Sequence, residues 1–228
     1  MPVKASYPKY LTRLLGAHLS PSQLYGLQAV VNQLKLGRWM RDHGFHFDRP
    51  LADRWAVFEA VVPRVRDARV LYLEFGVFKG RTTRYWSSKL LHPDAKLHGF
   101  DSFEGLPEEW AGHAGGKIFN AGGQIPVIDD PRVQFFKGWF EQVLPSYVVP
   151  EHDLLLLVMD ADLYSSTSFV LRHLRPHIRP GTLLYFDELN HVEHEPKAFD
   201  EFMKEHSLAF APVSADRTLT HALFECIG

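Results

Sequence analysis

The sequence predicts an α/β domain, a doubly wound and mostly parallel seven-stranded sheet with a helical extension at its N-terminus. Three observations predict it. From about residue 50, apolar runs alternate with segments of helical period for about 175 residues, the order that builds βαβ units. Several of those runs are continuously apolar rather than alternating, as strands covered on both faces must be. Residues 1–50 carry helical periodicity and no strand-like run.

In that first segment Ser20-Pro21-Ser22 reads as a helix start, with Pro at the first helical position behind a Ser cap. Apolar residues then recur at Leu24, Leu27, Val30, Val31 and Leu34, and a shorter helix precedes them with Tyr10, Leu11, Leu14 and Leu15. Two amphipathic helices without strands fit an appendage, a lid or a dimer contact, so the expected organisation is an extension at 1–50 and one domain at 51–228. Within that domain a helix is expected over 53–65, a strand over 69–75, a helix over 81–91 and a strand over 96–101. A long connection with Gly105, Gly112, Gly115, Gly116, Gly122 and Gly123 follows. Strands are then expected at 133–136, 153–160 and 181–187, helices at 163–177 and 196–206, and a terminal hairpin from 208–212 and 218–226.

Composition narrows the class. The 228 residues are 46% hydrophobic, 13% aromatic and 23% charged, enough to bury a full core without disulfides or metal staples. With 25 Lys plus Arg against 27 Asp plus Glu, no basic excess exists to hold a nucleic-acid backbone. The longest apolar run, Leu154–Met159, is too short to span a bilayer. The opening Met1-Pro2-Val3-Lys4-Ala5 lacks the apolar stretch of a signal peptide. A lone Cys226 excludes an intrachain disulfide framework, so a cytoplasmic protein is expected.

In an open α/β sheet, ligands bind beyond the carboxyl ends of the strands. Acidic residues gather there: Glu74 after the first strand, Asp101 and Glu104 after the second, Asp160 and Asp162 after the fourth, Asp187 and Glu188 after the fifth. The turn Glu74-Phe75-Gly76-Val77-Phe78-Lys79-Gly80 keeps two glycines that let backbone approach a ligand at a helix start, short of the full G-x-G-x-x-G pattern. Asp101, 27 positions after Glu74, can accept both hydroxyls of an unphosphorylated ribose, which suits NAD and S-adenosylmethionine alike. Replacing it would then weaken the cofactor with little change in fold stability. Adjacent parallel strand ends can bring Asp160, Asp162, Asp187 and Glu188 together, and carboxylates converging without a Lys or Arg among them would repel unless a cation sat there; all-oxygen ligands favour Mg, Ca or Mn over zinc. Of 13 histidines, His191 and His194 follow the second acidic pair without a zinc spacing.

Five ordered strings resemble the macrocin-type O-methyltransferases: Tyr72-Leu73-Glu74-Phe75-Gly76-Val77-Phe78-Lys79-Gly80-Arg81-Thr82, Gly99-Phe100-Asp101-Ser102-Phe103-Glu104-Gly105-Leu106-Pro107, Lys137-Gly138-Trp139-Phe140, Asp160-Ala161-Asp162-Leu163-Tyr164-Ser165-Ser166-Thr167 and Tyr185-Phe186-Asp187-Glu188. The similarity runs over about residues 50 to 205. It implies a Rossmann-like class I methyltransferase acting on a hydroxyl of a small molecule, such as a sugar or phenol-like natural product, with S-adenosylmethionine and a divalent cation, usually Mg (Mn or Ca as substitutes). It implies Glu74, Gly76 and Gly80 around the methionine part, Asp101 on the ribose, and Ser102, Phe103 and Trp139 near the adenine, with Thr82 also among the cofactor-binding residues. It places the metal on Asp160, Asp187 and Glu188 and the general base on Asp162; the chain turns toward a helix there, so Asp162 as no more than that helix's N-cap stays an alternative, with His191 as the reserve base. Glu188 stands where the family often has a second Asp, and Ala161 where relatives often have Gly or Val. The partner is then a small hydroxyl acceptor, with no nucleic acid and no membrane span, in a protein expected to form a homodimer. Two other readings stay open. An NAD-dependent oxidoreductase or epimerase shares the ribose carboxylate but would carry Tyr-x-x-x-Lys, whereas Tyr164 is followed at four by Ser168 and Tyr185 by Leu189. A non-catalytic methyltransferase-like partner subunit would have lost the acids or the glycines.

Overall fold

A computed structural model describes residues 9–108 and 118–228 of the chain. The opening Met1-Pro2-Val3-Lys4-Ala5 and Gly112, Gly115 and Gly116 lie outside the described residues. The chain divides into two compact units, the first ending at His43 and the second spanning Gly44–Gly228.

The first unit holds α1 (Lys9–Gly16) and α2 (Pro21–His43). Ser20 caps α2 in a reciprocal box: the Gln23 N–H donates to Ser20 Oγ at 3.3 Å and the Ser20 N–H to Gln23 Oε1 at 2.8 Å. The periodic apolar residues of α2 do not form a buried stripe. Leu24, Leu27, Val30, Val31 and Leu34 are 44–71% exposed.

The second unit opens with α3 (Arg54–Glu59) and α4 (Val62–Val65), two short helices where the sequence predicts one. Asp53 caps α3 by accepting from the Ala56 N–H at 3.0 Å, and Pro63 sits in the first turn of α4, where it costs no hydrogen bond, rather than ending a longer helix. Then follow β1 (Val70–Phe75), α5 (Arg81–Lys89), β2 (Lys96–Asp101), β3 (Val133–Lys137), the short α6 (Phe140–Val143), which periodicity did not reveal, and β4 (Leu154–Met159). After them come α7 (Tyr164–Leu174), β5 (Leu183–Phe186), α8 (Glu195–His206), β6 (Phe210–Ala215) and β7 (Ala222–Cys226).

The seven strands lie in the order β3-β2-β1-β4-β5-β7-β6, parallel except for β7, which runs antiparallel to both neighbours. The doubly wound sheet is therefore as predicted. Strand β1 is buried along its whole length and pairs with β2 and β4. One face packs Val57 and Phe58 of α3 and Trp86 of α5 against Tyr72, Val158, Tyr185 and Leu223. On the other, Phe75, Phe100 and Phe136 stack across three strands, with centroids 5.0 and 4.8 Å apart. Each large buried side chain of this kind contributes about 1.5–3 kcal/mol, so the strand ends that carry the acids are held on a rigid platform.

The candidate active site

Successive strands run outward from β1 through β2 to β3, then restart on its other side with β4 and β5. The gap beyond the carboxyl ends of β1 and β4 is thus the switch point where α/β sheets bind ligands. A cavity of about 480 Å³ opens there, within the usual range for small-molecule sites. The sheet ladder continues into it: the Gly76 N–H donates to the Phe100 carbonyl, the Asp160 N–H to that of Phe75 and the Asp187 N–H to that of Met159, at 2.9–3.0 Å. Backbone therefore fixes where the acidic side chains start.

One end of the cavity is the β1–α5 turn. Gly76 has φ +95°, and a Cβ there would fall 1.8 Å from the Asp160 carbonyl oxygen, so only glycine lets the turn cross the end of β4. Asp101 closes β2 and binds that turn directly. Its Oδ2 accepts the Val77 and Phe78 N–H groups, each at 2.7 Å, and its Oδ1 accepts the Phe103 N–H at 2.6 Å. A carboxylate offers about four acceptor positions, so room remains for a ribose hydroxyl. The expectation of little change in fold stability on losing Asp101 is corrected, because the residue organises the loop that surrounds it. Thr82, Ser102, Gly138, Trp139, Phe78 and Phe119 complete this part of the wall.

The other end is acidic. Asp160, Asp162, Asp187 and Glu188 all line the cavity. Burial, joined by the charge of Asp187, raises the Asp160 carboxyl above its ordinary range, with Arg54 opposing. Burial with the charges of Glu188 and Asp187 pushes Asp162 up to about 8, and burial with Asp187 pushes Glu188 to about 7. Asp162 has φ +60°, in the left-handed region, as the chain turns from β4 toward α7. Asp187 is the exception. Burial acts to raise it, but His221, Arg54 and Tyr185 together hold it below the usual carboxylate value. Its Oδ1 accepts the Tyr185 hydroxyl at 2.6 Å and faces His221 Nδ1 at 3.2 Å, while its Oδ2 meets Arg54 Nη2 at 2.5 Å.

Arg54 corrects the sequence reading that no basic residue stands among these acids. It reaches in from the first residue of α3, with Nη1 also 3.8 Å from Asp160 Oδ2 and 3.5 Å from Thr82 Oγ1. Among the described residues, no three acidic, His or Cys side chains stand in a ready metal-holding arrangement. The donor set still fits a hard divalent ion by its chemistry: carboxylate oxygens only, on one cavity wall, with three of the four groups driven toward the neutral form by burial and by their neighbours' negative charge.

The structure brings Gly76, Thr82, Asp101, Ser102, Trp139, Asp160, Asp162, Asp187 and Glu188 to one cavity. Four other candidates lie off its wall. Glu74 points into the protein, taking hydroxyl hydrogen bonds from Tyr72 and Thr83. Gly80 packs under Pro126, Phe103 is fully buried, and His191 sits behind Glu188 with Nε2 3.5 Å from its Oε2. The sequence reading missed Arg54, His221 and Glu195. Glu195 is buried at the start of α8 and accepts the Glu188 N–H at 2.9 Å. Only Tyr185, two residues before Asp187 on one strand and so on its side, carried a signal in the period-two pattern.

Residues 125–220 match the family model described as Macrocin-O-methyltransferase (TylF). Among curated proteins, the 8-demethyl-8-(2,3-dimethoxy-alpha-L-rhamnosyl)-tetracenomycin-C 4'-O-methyltransferase of Streptomyces olivaceus is 30% identical over 51% of this chain and 51% of its own. The chain spans about half the length of the curated relatives it matches. Among solved structures, the O-methyltransferase NovP superposes with a TM-score of 0.56 at 22% identity, over 75% of this chain and 77% of its own. The Mg-SAM form of cmcI does so at 0.52 and 15% identity, over 82% and 78%. The motifs around Gly76 and Asp101 precede the segment that the family model matches, but those two residues line the same cavity as the acids within it. The resemblance to the macrocin-type O-methyltransferases is thus borne out over residues 125–220 by the family's own model, and the sheet has the Rossmann-like fold of the solved structures it superposes on.

Proposed function

We propose that this chain is an S-adenosylmethionine-dependent O-methyltransferase that methylates a hydroxyl of a small molecule of the sugar or phenol-like natural-product kind, with a divalent cation, Mg by preference, at Asp160, Asp187 and Glu188. The observation that carries the reading is one cavity at the switch point. It joins a ribose-competent carboxylate and a glycine turn to an acidic cluster. The relatives' names support the acceptor class, and the Mg-SAM form of cmcI supports the cation.

Methyl transfer is an in-line displacement in which an acceptor oxygen attacks the sulfonium methyl, so the two must be held in line and the hydroxyl proton removed. Gly76 would let the methionine part of the cofactor lie against backbone, Asp101 would take the ribose, and Trp139 and Ser102 would bound the adenine end. Glu74 and Gly80 act from behind, by holding the β1–α5 turn. A divalent cation, when bound, supplies Lewis acidity that makes a hydroxyl easier to deprotonate. Asp162, which lines the cavity beside these carboxylates, takes the proton. His191 lines no part of the cavity and serves instead as a neighbour of Glu188. The exposed apolar row on α2 supports a homodimer, and the lone buried Cys226 supports a reducing, cytoplasmic setting. Among the described residues no helix is long and apolar enough to cross a membrane.

The test is transfer of a trideuterated methyl group from S-adenosylmethionine to a panel of hydroxylated sugars and phenols, read by mass spectrometry. Transfer should be abolished by EDTA and restored by Mg. Asp162→Asn should keep cofactor affinity while turnover falls by roughly a hundredfold or more. Full turnover in EDTA removes the metal, and a near-normal Asp162→Asn rate moves the base elsewhere.

A further inference from the structure

Arg54 stands where the acidic cluster most needs positive charge. Its guanidinium spans the ends of two adjacent parallel strands, 2.5 Å from Asp187 and 3.8 Å from Asp160, and only about a quarter of its side chain is exposed. It is held there from outside the sheet. Asp53 caps α3 and sets the helix start, and Thr82 Oγ1 lies 3.5 Å from Nη1. The Asp187 carboxylate is almost fully engaged by Arg54, Tyr185 and His221, and among these only Arg54 is a fixed cation on Oδ2. A divalent ion that takes Asp187 as a ligand must therefore take over an oxygen that the guanidinium already holds.

We propose that Arg54 is a resident counter-ion of the Asp160 and Asp187 carboxylates that a divalent cation must displace, so that cation binding in this cavity is an exchange rather than a simple addition. The inference rests on the reading of these carboxylates as the cation site. The exchange has a route: Arg54 lies on the wall of the open cavity, so its guanidinium can leave the strand ends without crossing the core. It also has a purpose. With Arg54 in place the cluster stays assembled without metal, and loading the site frees the first residue of α3 from the two strand ends.

The test is Mn2+ affinity, measured by electron paramagnetic resonance on the full chain. Arg54→Met, which keeps length and loses charge, should bind Mn2+ at least about tenfold more tightly than wild type, and Arg54→Lys should fall between them. Equal or weaker binding by Arg54→Met overturns the proposal. A measurement on the unmutated protein stands even if Arg54→Met does not fold: the side-chain Nε–Hε signal of Arg54, followed by nuclear magnetic resonance, should move on addition of Mg2+. A signal unchanged in excess MgCl2 also overturns the proposal. S-adenosylhomocysteine affinity in the same samples separates the two readings. Intact cofactor binding with no effect of Arg54 on the metal removes the exchange alone. Absence of Mn2+ binding in both proteins removes the exchange together with the cation site, and absence of cofactor binding removes the methyltransferase reading.

Discussion

Replacing Asp101 with alanine should cost both stability and cofactor. Three backbone N–H groups, of Val77, Phe78 and Phe103, donate to this one carboxylate at 2.6–2.7 Å. Hydrogen bonds to a charged group contribute about 1.5–3 kcal/mol each, so the three set a ceiling of roughly 5–9 kcal/mol. Asp101 is only half-buried and lines the cavity, so water takes up part of the loss and about 2–4 kcal/mol is expected to remain. For a domain of this size that lowers the melting temperature by roughly 5–15 °C. Asn should rescue little, because its amide would turn N–H groups toward at least one of the same donors. The assay is urea unfolding of wild type, Asp101→Ala and Asp101→Asn, with calorimetric titration of S-adenosylhomocysteine at a temperature where all three are folded. Cofactor affinity should fall about tenfold to a hundredfold from the lost ribose contact alone. An unchanged urea midpoint would refute the loop-holding role, and an unchanged dissociation constant would remove Asp101 from the ribose.

Glu74 should make stability depend on pH. Burial, with Thr83 and Tyr72 opposing and Asp101 adding, lifts it from 4.5 to about 8. Its stabilising contribution is therefore complete below the unfolded value near 4.5 and is lost as pH rises through 8, a swing of roughly 3–5 kcal/mol. Glu74→Gln should flatten that part of the profile between pH 5 and 9 in urea midpoints, and a profile parallel to wild type would contradict the assignment. Gly76→Ala should abolish soluble folding or cofactor binding, since its methyl would overlap the Asp160 carbonyl at 1.8 Å. Gly122→Ala, at φ +65° in open space, should cost only about 1–2 kcal/mol of backbone strain. Equal effects of the two on the melting temperature would show that conformation, not the close approach of β4, decides at Gly76.

The sheet was legible because its strands are continuous apolar runs. Residues 154–159 could hardly be anything but a buried strand, and each acid that follows such a run was placed at a carboxyl end by that fact alone. Asp160, Asp187 and Asp101 were readable for this reason. Arg54 was not, because it enters the cluster from a helix that precedes β1, and a contact between residues 54 and 187 leaves no periodic trace. Glu74 sits at a strand end too, but the period-two pattern that puts it beside Tyr72 turns it into the core, where Thr83 meets it from α5. The 53–65 segment read as one helix because its apolar spacing continues through Pro63, and only the local hydrogen bonds divide it in two.

Calorimetric titration of the full chain with S-adenosylhomocysteine, run beside NAD, tests the central claim most directly. The account predicts saturable binding of S-adenosylhomocysteine at one site per chain, weakened in Asp101→Ala, with no binding of NAD at the same concentrations. Binding of NAD in its place, or no binding of S-adenosylhomocysteine by the folded protein, would contradict it.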